Sequence, residues 1–441
     1  MAEGQFRGSL SIFPCPKVER IFLDFAWFFY NHFGDQIVKI FTKEKELSSV
    51  WNYSARAKEM KSSAIREILK ITERSDIISF AGGLPAPELF PVEEIKRACV
   101  KVLDESGPKA LQYSLTMGYS PLRKAIAERI SKRDGAKVNE ENIVITGGSQ
   151  QGLDIIGRVF LDSTSTVIVE KPSYLGAIQA FNSYRPTYIT VGMDDEGMLL
   201  DEVEEDIKKH KPRFIYAVAN FQNPSGITMS LKRRKRLVEL SKEYYTPIVD
   251  DNPYGELRYQ GKELPSLKCL GGEDVIELGT CSKIISPGLR IGWIVGPVEV
   301  MKMIERLKQA MDLHTNTFAQ YVIYEYIKTG QLDQHIAKIK KAYGERMKVM
   351  LDALEKYFPK EIKWTKPQGG LFLWVTLPEG NSATEILPKA VDQKVAYVPG
   401  KPFYVDESGD NTLRLNFSNA TPEMLTQGIK RLAKVFKENL K

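Results

Sequence analysis

Short runs of apolar, mostly β-branched residues alternate with amphipathic stretches from about residue 140 onward. Over 231–245 the apolar positions recur with helical spacing, which predicts a helix. Buried apolar strands that alternate with helices are typical of an α/β domain with a mostly parallel sheet. The pattern predicts strands over 142–146, 166–170, 214–219, 247–251, 275–280 and 291–295.

The pattern changes after about residue 310. Long charged stretches predict helices over 331–357 and from 422 to the C-terminus, and shorter apolar runs predict strands over 371–376 and 412–417. Helices beside a few short strands indicate a smaller α+β domain. This domain follows the larger one along the chain.

The segment before residue 140 begins with a predicted helix over 62–70 and a Gly/Pro-rich loop over 82–87. Further upstream, 22–33 (FLDFAWFFYNHF) is aromatic-rich but is interrupted by Asp24, and it falls short of the roughly 20 apolar residues of a membrane span. It also lacks the features of a signal peptide. We interpret this extension as packing on the body or a partner subunit, or as a floppy tail from an upstream mis-start, with no membrane contact.

A chain of 441 residues fits two or three domains of ordinary size. The 43% hydrophobic and 27% charged content is that of a globular protein. The changes of pattern along the chain divide it into an extension of unknown role at 1–54, a segment at 55–110, a large domain at 111–310 and a small domain at 311–441.

Charge and reactive side chains exclude several classes of function. The net charge of +6 is the small difference between 62 basic and 56 acidic residues, which argues against a nucleic-acid partner. The four histidines are far apart, so neither a metal site nor a Ser-His-Asp triad is expected. Isolated cysteines indicate reduced thiols and a cytoplasmic protein: Cys15, Cys99, Cys269 and Cys281.

The segment 280–293 (TCSKIISPGLRIGW) carries the strongest chemical signal. Lys283 follows a predicted buried strand, and a lysine amine becomes nucleophilic where cationic or apolar surroundings disfavour its ammonium form. The hydroxyls of Thr280 and Ser282 and the guanidinium of Arg290 can hold a phosphate beside it. A lone lysine is ordinarily solvated, but this position favours a chemical role.

A second candidate lies at 146–152 (TGGSQQG), which joins a predicted strand to a helix. Glycines permit close approach of an anion, and a helix N-terminus offers free N–H groups and a positive dipole end. Gly148, Ser149 and Gln150 can therefore cradle a phosphate, although the loop could also serve only as a helix cap. It matches neither a Walker A loop nor a GxGxxG fingerprint, so nucleotide binding is not indicated.

The segment 282–292 resembles the cofactor-lysine motif of class I aminotransferases of PLP fold type I, in particular the kynurenine/2-aminoadipate and archaeal aromatic branch. The resemblance covers roughly 55–438, and it implies that the segment 55–110 contributes to the small domain and the substrate pocket. It implies an α/β fold in which a large domain with a mostly parallel seven-stranded sheet flanked by helices is joined to a smaller α+β domain. It also implies that Lys283 carries pyridoxal 5′-phosphate as a Schiff base.

The resemblance also assigns residues around the cofactor ring. Asp251, in DDNPY, would pair with the ring nitrogen and keep it protonated. Tyr254 and Asn223 would contact the phenolate oxygen, and Tyr174 would stack on the ring. By themselves the DDNPY and NPSG segments indicate turns, and Tyr174 alone indicates an ordinary core residue.

Three further assignments concern the partner and the substrate. Tyr113 would reach the cofactor phosphate of the neighbouring subunit, so the active site would require a homodimer. Arg414 would grip the substrate α-carboxylate, although a surface salt bridge is the default reading of a lone strand arginine. The remaining substrate residues would be Gly83 in a capping loop, Asn223, and Arg66, which otherwise lies on a solvated helix face.

The implied activity is transfer of an amino group from an aromatic, kynurenine or 2-aminoadipate-type amino acid to 2-oxoglutarate by a ping-pong mechanism. Another PLP enzyme of this fold, such as a β-lyase, racemase or decarboxylase, stays open. A non-catalytic regulator with an aminotransferase-like domain is the other alternative. It requires a DNA-binding module of roughly 60–80 residues, and 1–50 are too few and too aromatic.

Overall fold

The computed structural model describes residues 52–60 and 76–441. The predicted helix over 62–70, including Arg66, lies outside the described residues, as does most of the predicted extension. Internal contacts divide the chain into two units, Met1–Glu59 and Met60–Lys441. The described part of the first unit contains a short helix, α1 (Ala55–Glu59). The finer domain boundaries expected from the sequence stay predictions.

The strands of the second unit form three sheets. The described strands are β1 (Ile78–Ser79), β2 (Ile143–Thr146), β3 (Thr166–Lys171), β4 (Thr187–Asp194), β5 (Gly197–Met198), β6 (Ile215–Ala217), β7 (Ile248–Asp251), β8 (Val275–Thr280), β9 (Gly292–Val295), β10 (Lys363–Trp364), β11 (Phe372–Thr376), β12 (Val395–Ala396), β13 (Val398–Pro399) and β14 (Thr412–Asn416).

Helices cover these sheets. The described helices are α2 (Val92–Ala110), α3 (Ser120–Asp134), α4 (Ser149–Phe160), α5 (Leu175–Asn182), α6 (Leu200–His210), α7 (Leu231–Glu243), α8 (Leu267–Gly271), α9 (Val298–Gln309), α10 (Thr317–Lys328), α11 (Gln331–Tyr357), α12 (Ala383–Asp392) and α13 (Pro422–Asn439).

Local chemistry explains where several of these helices begin and end. At α7 the Ser230 side chain accepts a hydrogen bond from the backbone N–H of Arg233, which caps the helix N-terminus. Gly135 ends α3 in the left-handed conformation, with φ +80°. The predicted bounds of α11 are confirmed, because its apolar positions keep helical spacing through 331–357 without interruption.

The large sheet has the strand order β2-β9-β8-β7-β6-β3-β4-β5. Strands β8, β7, β6, β3 and β4 run parallel, whereas β9 is antiparallel to both neighbours. Parallel strands present their carboxyl ends at one edge, where such sheets place ligands. Since β3, β6, β7 and β8 each lead directly into a predicted site segment, the topology brings those segments together.

The fold class expected from the sequence is confirmed. Seven strands of the large sheet are accompanied by β5, an edge strand of two residues paired antiparallel with β4. Strand β4 was not predicted from the sequence. Only one residue of Thr187–Asp194 is fully buried, so this strand lacks the continuous apolar run from which the others were predicted. The other six strands were predicted to within two residues at either end.

The smaller sheet has the order β10-β11-β14-β13, and its described neighbours all pair antiparallel. Four of its apolar residues share one buried cluster with residues of α11, α12 and α13: Leu373, Val375, Leu413 and Leu415. Strand β1, which is early in the chain, pairs parallel with β12. This pairing places the residues after Ser79 beside β14, where the backbone N–H of Asn416 donates to the Phe80 carbonyl at 2.9 Å.

Candidate active site

A cavity of about 280 Å³ opens at the carboxyl ends of the central strands. Gly148 immediately precedes this lining at the N-terminus of α4. Tyr113 does not line the cavity and is 78% exposed. Twelve residues singled out from the sequence line it: Gly83, Ser149, Gln150, Tyr174, Asn223, Asp251, Tyr254, Thr280, Ser282, Lys283, Arg290 and Arg414.

Lys283 presents its amine to this cavity. The Nζ atom donates a hydrogen bond of 2.7 Å to the carbonyl oxygen of Gly83. Burial, together with the positive charges of Arg414 and Arg290, lowers the pKa of Lys283 to about 8. An amine with this pKa is partly neutral near pH 7, so it can act as a nucleophile or as a base.

Asp251 is the last residue of β7 and is 2% exposed. Its Oδ2 atom accepts a hydrogen bond of 2.8 Å from the hydroxyl of Tyr216. Its Oδ1 atom has no hydrogen-bond partner among the described residues. Burial raises the pKa of Asp251 to about 6, against the opposing effect of the Tyr216 hydroxyl. A buried carboxylate oxygen without a partner is costly, which indicates a site for an N–H donor.

The start of α4 and the turn after β8 form an anion-binding corner. Gly148 has φ +89°, and a Cβ atom there would lie 2.5 Å from Nη2 of Arg290. The same Nη2 atom donates to the Gly147 carbonyl at 2.9 Å. The hydroxyls of Thr280 and Ser282 lie 3.0 Å apart. The free N–H groups of the first helical turn, two hydroxyls and a guanidinium therefore converge.

The half-buried Tyr174, the buried Tyr254 and Asn223 line another part of the cavity. Burial raises the pKa of Tyr174 to about 12 and that of Tyr254 further, so both phenols stay protonated at neutral pH. The Oδ1 atom of Asn223 accepts a hydrogen bond of 2.8 Å from Nη1 of Arg414. Protonated phenols can donate hydrogen bonds, and their rings offer flat surfaces for stacking.

Arg414 is a strand residue with 2% exposure, so it is not the surface ion pair that is the default for such an arginine. Its Nη2 atom donates to the Ala81 carbonyl at 2.7 Å, and its guanidinium lies 4.2 Å from the ring centroid of Phe372. The Nε atom has no partner among the described residues. Burial lowers its pKa to about 10, so the guanidinium stays cationic at neutral pH.

The loop that carries Gly83 is fixed from two sides. The Ser418 hydroxyl donates to the Leu84 carbonyl at 2.8 Å, and the Ala86 N–H donates to the Tyr343 hydroxyl at 3.1 Å. Gly83 itself packs on Phe372, since a Cβ atom would lie 3.0 Å from that ring. These contacts hold the loop over the cavity.

Sequence reasoning missed two contacts of the site. Tyr216 lies within a buried strand, and its contact with Asp251 depends on the register between β6 and β7. Phe372 follows the GGL turn in an apolar run, and nothing in the local sequence places it beneath Arg414. Both contacts join residues distant in the chain, so no short motif could have found them.

These side chains fit pyridoxal 5′-phosphate. The unpartnered Oδ1 atom of Asp251 suits a protonated ring nitrogen, and the corner around Gly148 and Arg290 suits a phosphate. The amine of Lys283 suits the cofactor aldehyde. Among the described residues, no group of three or more His, Cys, Asp or Glu could hold a metal ion.

Comparisons with known proteins agree with this geometry. The sequence matches the family Aminotransferase class I and II over residues 75–432. It is 48% identical over 395 residues to the aromatic-amino-acid aminotransferase 1 of Thermococcus litoralis, covering 88% of this chain and 95% of the relative. It is 43% identical over 397 residues to the 2-aminoadipate transaminase of Thermus thermophilus, covering 89% and 98%.

A solved structure is similar to this chain in both sequence and fold. The kynurenine aminotransferase of Pyrococcus horikoshii, in complex with PMP, KYN as substrates and KYA as products, is 47% identical and superposes with a TM-score of 0.85. The match covers 88% of this chain and 98% of that chain. No helix within the described residues is long and apolar enough to cross a membrane.

From the family match, the similar relatives and the solved structure, it follows that the chain belongs to the class I and II aminotransferases and is a PLP-dependent transferase of fold type I.

Proposed function

We propose that this aminotransferase moves the amino group of an aromatic, kynurenine or 2-aminoadipate-type amino acid to 2-oxoglutarate. One observation carries the proposal: the amine of Lys283, the guanidinium of Arg414 and the carboxylate of Asp251 all line one cavity of about 280 Å³. A base, a carboxylate-binding group and a partner for a protonated ring are thus within reach of one small substrate.

The residues around the cavity are proposed to contact different parts of PLP. The ring nitrogen is assigned to Asp251, the phenolate oxygen to Tyr254 and Asn223, and stacking to Tyr174. Lys283 is the residue for covalent attachment. When bound, PLP supplies an electron-withdrawing ring that stabilises negative charge on the substrate α-carbon. The phosphate is assigned to Gly148, Ser149, Gln150, Thr280, Ser282 and Arg290, with Tyr113 from a second subunit.

Lys283 is proposed to move the proton. A neutral amine can remove the proton from the substrate α-carbon and deliver it to C4′ of the cofactor, and the pKa of about 8 keeps both charge states accessible near neutral pH. The Gly83 carbonyl orients the amine through their 2.7 Å hydrogen bond. Removal of this amine therefore stops proton transfer without removing the carboxylate site.

Donor and acceptor are proposed to use the same carboxylate site. Each carries an α-carboxylate, for which Arg414 offers a planar cationic partner held by Asn223 and the Ala81 carbonyl. Two molecules cannot occupy that one guanidinium together. The donor therefore leaves as a 2-oxo acid before the acceptor binds, which gives ping-pong kinetics.

We propose the class of amino donor from the residues that line the cavity and from the substrates named for the relatives. Leu84 and Phe372 contribute apolar surface to the cavity, which suits an aromatic side chain. The relatives are named for aromatic amino acids, 2-aminoadipate and kynurenine. A donor with a distal carboxylate needs a further cation, a role that the family resemblance assigns to Arg66.

A homodimer is proposed because Tyr113 is 78% exposed and lies away from the cavity of its own chain. Leu111 and Leu115 beside it are also exposed, at 72% and 63%. A cluster of exposed large apolar side chains favours a protein interface, and a two-fold dimer would carry each Tyr113 to its partner. The free thiols of Cys99 and Cys281 support a reducing, cytoplasmic location.

Product analysis tests this activity against the alternatives. The protein is incubated with phenylalanine, kynurenine or 2-aminoadipate labelled with ¹⁵N in the α-amino group, together with 2-oxoglutarate. Transamination yields ¹⁵N-glutamate and the matching 2-oxo acid. A racemase would yield the D-amino acid, and a decarboxylase would release CO₂. A β-lyase needs a leaving group on the β-carbon, so it is tested separately with an S-aryl cysteine conjugate, from which it would release a thiol, ammonia and pyruvate. Any of these as the main product would overturn the proposal.

A further inference from the structure

Tyr216 is a buried phenol whose contact the proposed mechanism does not yet use. It lies in β6, is fully buried, and its hydroxyl donates to Oδ2 of Asp251 at 2.8 Å. The backbone register pairs Tyr216 with Val249 on β7, so the side chain reaches along the sheet to a residue two positions further on. The phenol therefore connects the sheet interior to the cavity.

The tyrosine ring is held in place by packing. Its ring centroid lies 5.7 Å from that of Phe181 in an edge-to-face arrangement, and it belongs to the buried cluster that includes Val144, Val218 and Val249. A ring packed in this way has few alternative rotamers. The hydroxyl position is thus set by the core rather than by the cavity, which makes it a fixed support for the carboxylate.

The carboxylate depends on this support. Among the described residues, Oδ1 of Asp251 has no hydrogen-bond partner, and the donor to Oδ2 is the Tyr216 hydroxyl. With Oδ2 held, rotation about the terminal bond of Asp251 is restricted, and Oδ1 stays at the cavity wall. Without it, both oxygens would be buried and unpartnered, which disfavours the ionised form.

Three other ionisable groups interact electrostatically with Asp251: Glu170, Tyr174 and Tyr254. Glu170 on β3 is buried, which raises its pKa to about 8, and it accepts hydrogen bonds from Gln222 and the Val218 N–H. Tyr174 and Tyr254 face Asp251 as neutral phenols. None of these groups is a cation. Asp250 is the next residue back on β7 and points to the opposite face of the sheet.

We propose that Tyr216 is a positioning residue: its hydroxyl orients the Asp251 carboxylate and keeps it ionised, and through Asp251 it keeps the cofactor ring nitrogen protonated. The inference rests on the proposed role of Asp251 toward that nitrogen. Loss of the hydroxyl makes Asp251 a stronger base, so the shared proton moves from the ring nitrogen toward the carboxylate.

The test compares Tyr216→Phe with Tyr397→Phe. Tyr397 is also fully buried and donates from its hydroxyl to a backbone carbonyl, that of Ala383 at 2.7 Å, but in the small domain. Both proteins are loaded with PLP labelled with ¹⁵N at the ring nitrogen. In Tyr216→Phe the ¹⁵N resonance should move toward the unprotonated range, and kcat should fall roughly tenfold with little change in KM. Tyr397→Phe should show neither change.

Two further variants separate positioning from general stability. In an Asp251→Asn background, Tyr216→Phe should change neither the resonance nor kcat further, whereas a merely structural role would add its effect. Replacement of Tyr216 by 3-fluorotyrosine, a stronger donor that keeps the ring, should shift the resonance in the opposite direction from Tyr216→Phe. This variant serves if the phenylalanine protein is too unstable to purify.

The outcomes distinguish the inference from the function beneath it. If Asp251→Asn shifts the ¹⁵N resonance and Tyr216→Phe leaves it where it is in the unaltered protein, the role of Tyr216 is overturned while that of Asp251 stands. If Asp251→Asn leaves the resonance unchanged, the proposed role of Asp251 fails, and the inference about Tyr216 fails with it.

Discussion

The amine of Lys283 and the carbonyl oxygen of Gly83 are joined by a hydrogen bond of 2.7 Å although the two residues are 200 positions apart in the chain. The contact ties the turn after β8 to the loop after β1. It holds the amine at the cavity in surroundings that also contain two guanidinium groups, those of Arg414 and Arg290. The charge state of the Lys283 amine can therefore be tested directly.

Capture of PLP by the cofactor-free protein should depend on the Lys283 pKa of about 8. Only the neutral amine attacks the aldehyde, so the rate should rise with pH below about 8 and become constant above it. Stopped-flow absorbance measures this rate at a series of pH values. A rate that continues to rise toward pH 10 would mean that the amine has an ordinary pKa, and it would contradict the account.

Gly148→Ala should weaken PLP binding by at least about tenfold. The added Cβ would lie 2.5 Å from Nη2 of Arg290, so the anion-binding corner must open. Gly135→Ala is the matched control: Gly135 also has positive φ, but nothing lies within 4 Å of its added Cβ. That variant should lose roughly 1 kcal/mol of stability and keep its PLP affinity. Equal PLP affinities of the two variants in absorbance titrations would refute the assignment.

Arg414→Lys should raise KM for the amino donor and for the 2-oxo acid by similar factors, roughly 10-fold or more. Lysine cannot reproduce the planar fork that contacts Asn223 and the Ala81 carbonyl. Arg236→Lys, which alters a surface ion pair with Glu204, should leave both constants unchanged. Steady-state kinetics with each substrate varied in turn provide the measurement. An effect on one substrate alone would show that the two do not share the site.

Tyr113→Ala and Lys283→Ala should complement each other when their subunits are mixed. Each pure variant should have little activity. Tyr113→Ala lacks the side chain that reaches the partner's site, and Lys283→Ala lacks the amine of its own site. A mixed dimer contains one site in which both are intact. With random exchange of equal amounts, activity should recover to about a quarter of the unaltered level. Mixing without recovery, in samples where exchange is verified by mass spectrometry, would argue against a shared site.

The sequence was sufficient for what depends on local pattern. Lys283, Asp251 and Gly148 each sit beside the end of a buried apolar strand, so a parallel sheet had to bring them to one edge. The reversed direction of β9 and the half-exposed strand β4 leave no such mark, because pairing partners and burial depend on residues far along the chain. The same is true of the contact between Tyr216 and Asp251.

The absorption spectrum of the purified, PLP-loaded protein, recorded before and after addition of an amino acid without any oxo acid, tests the central claim most directly. We predict a visible band that is lost as the pyridoxamine form appears, with an equivalent amount of 2-oxo acid released. Lys283→Ala should show neither the original band nor the conversion. A protein that binds no PLP, or one whose band persists with every aromatic amino acid, kynurenine and 2-aminoadipate, would contradict the account.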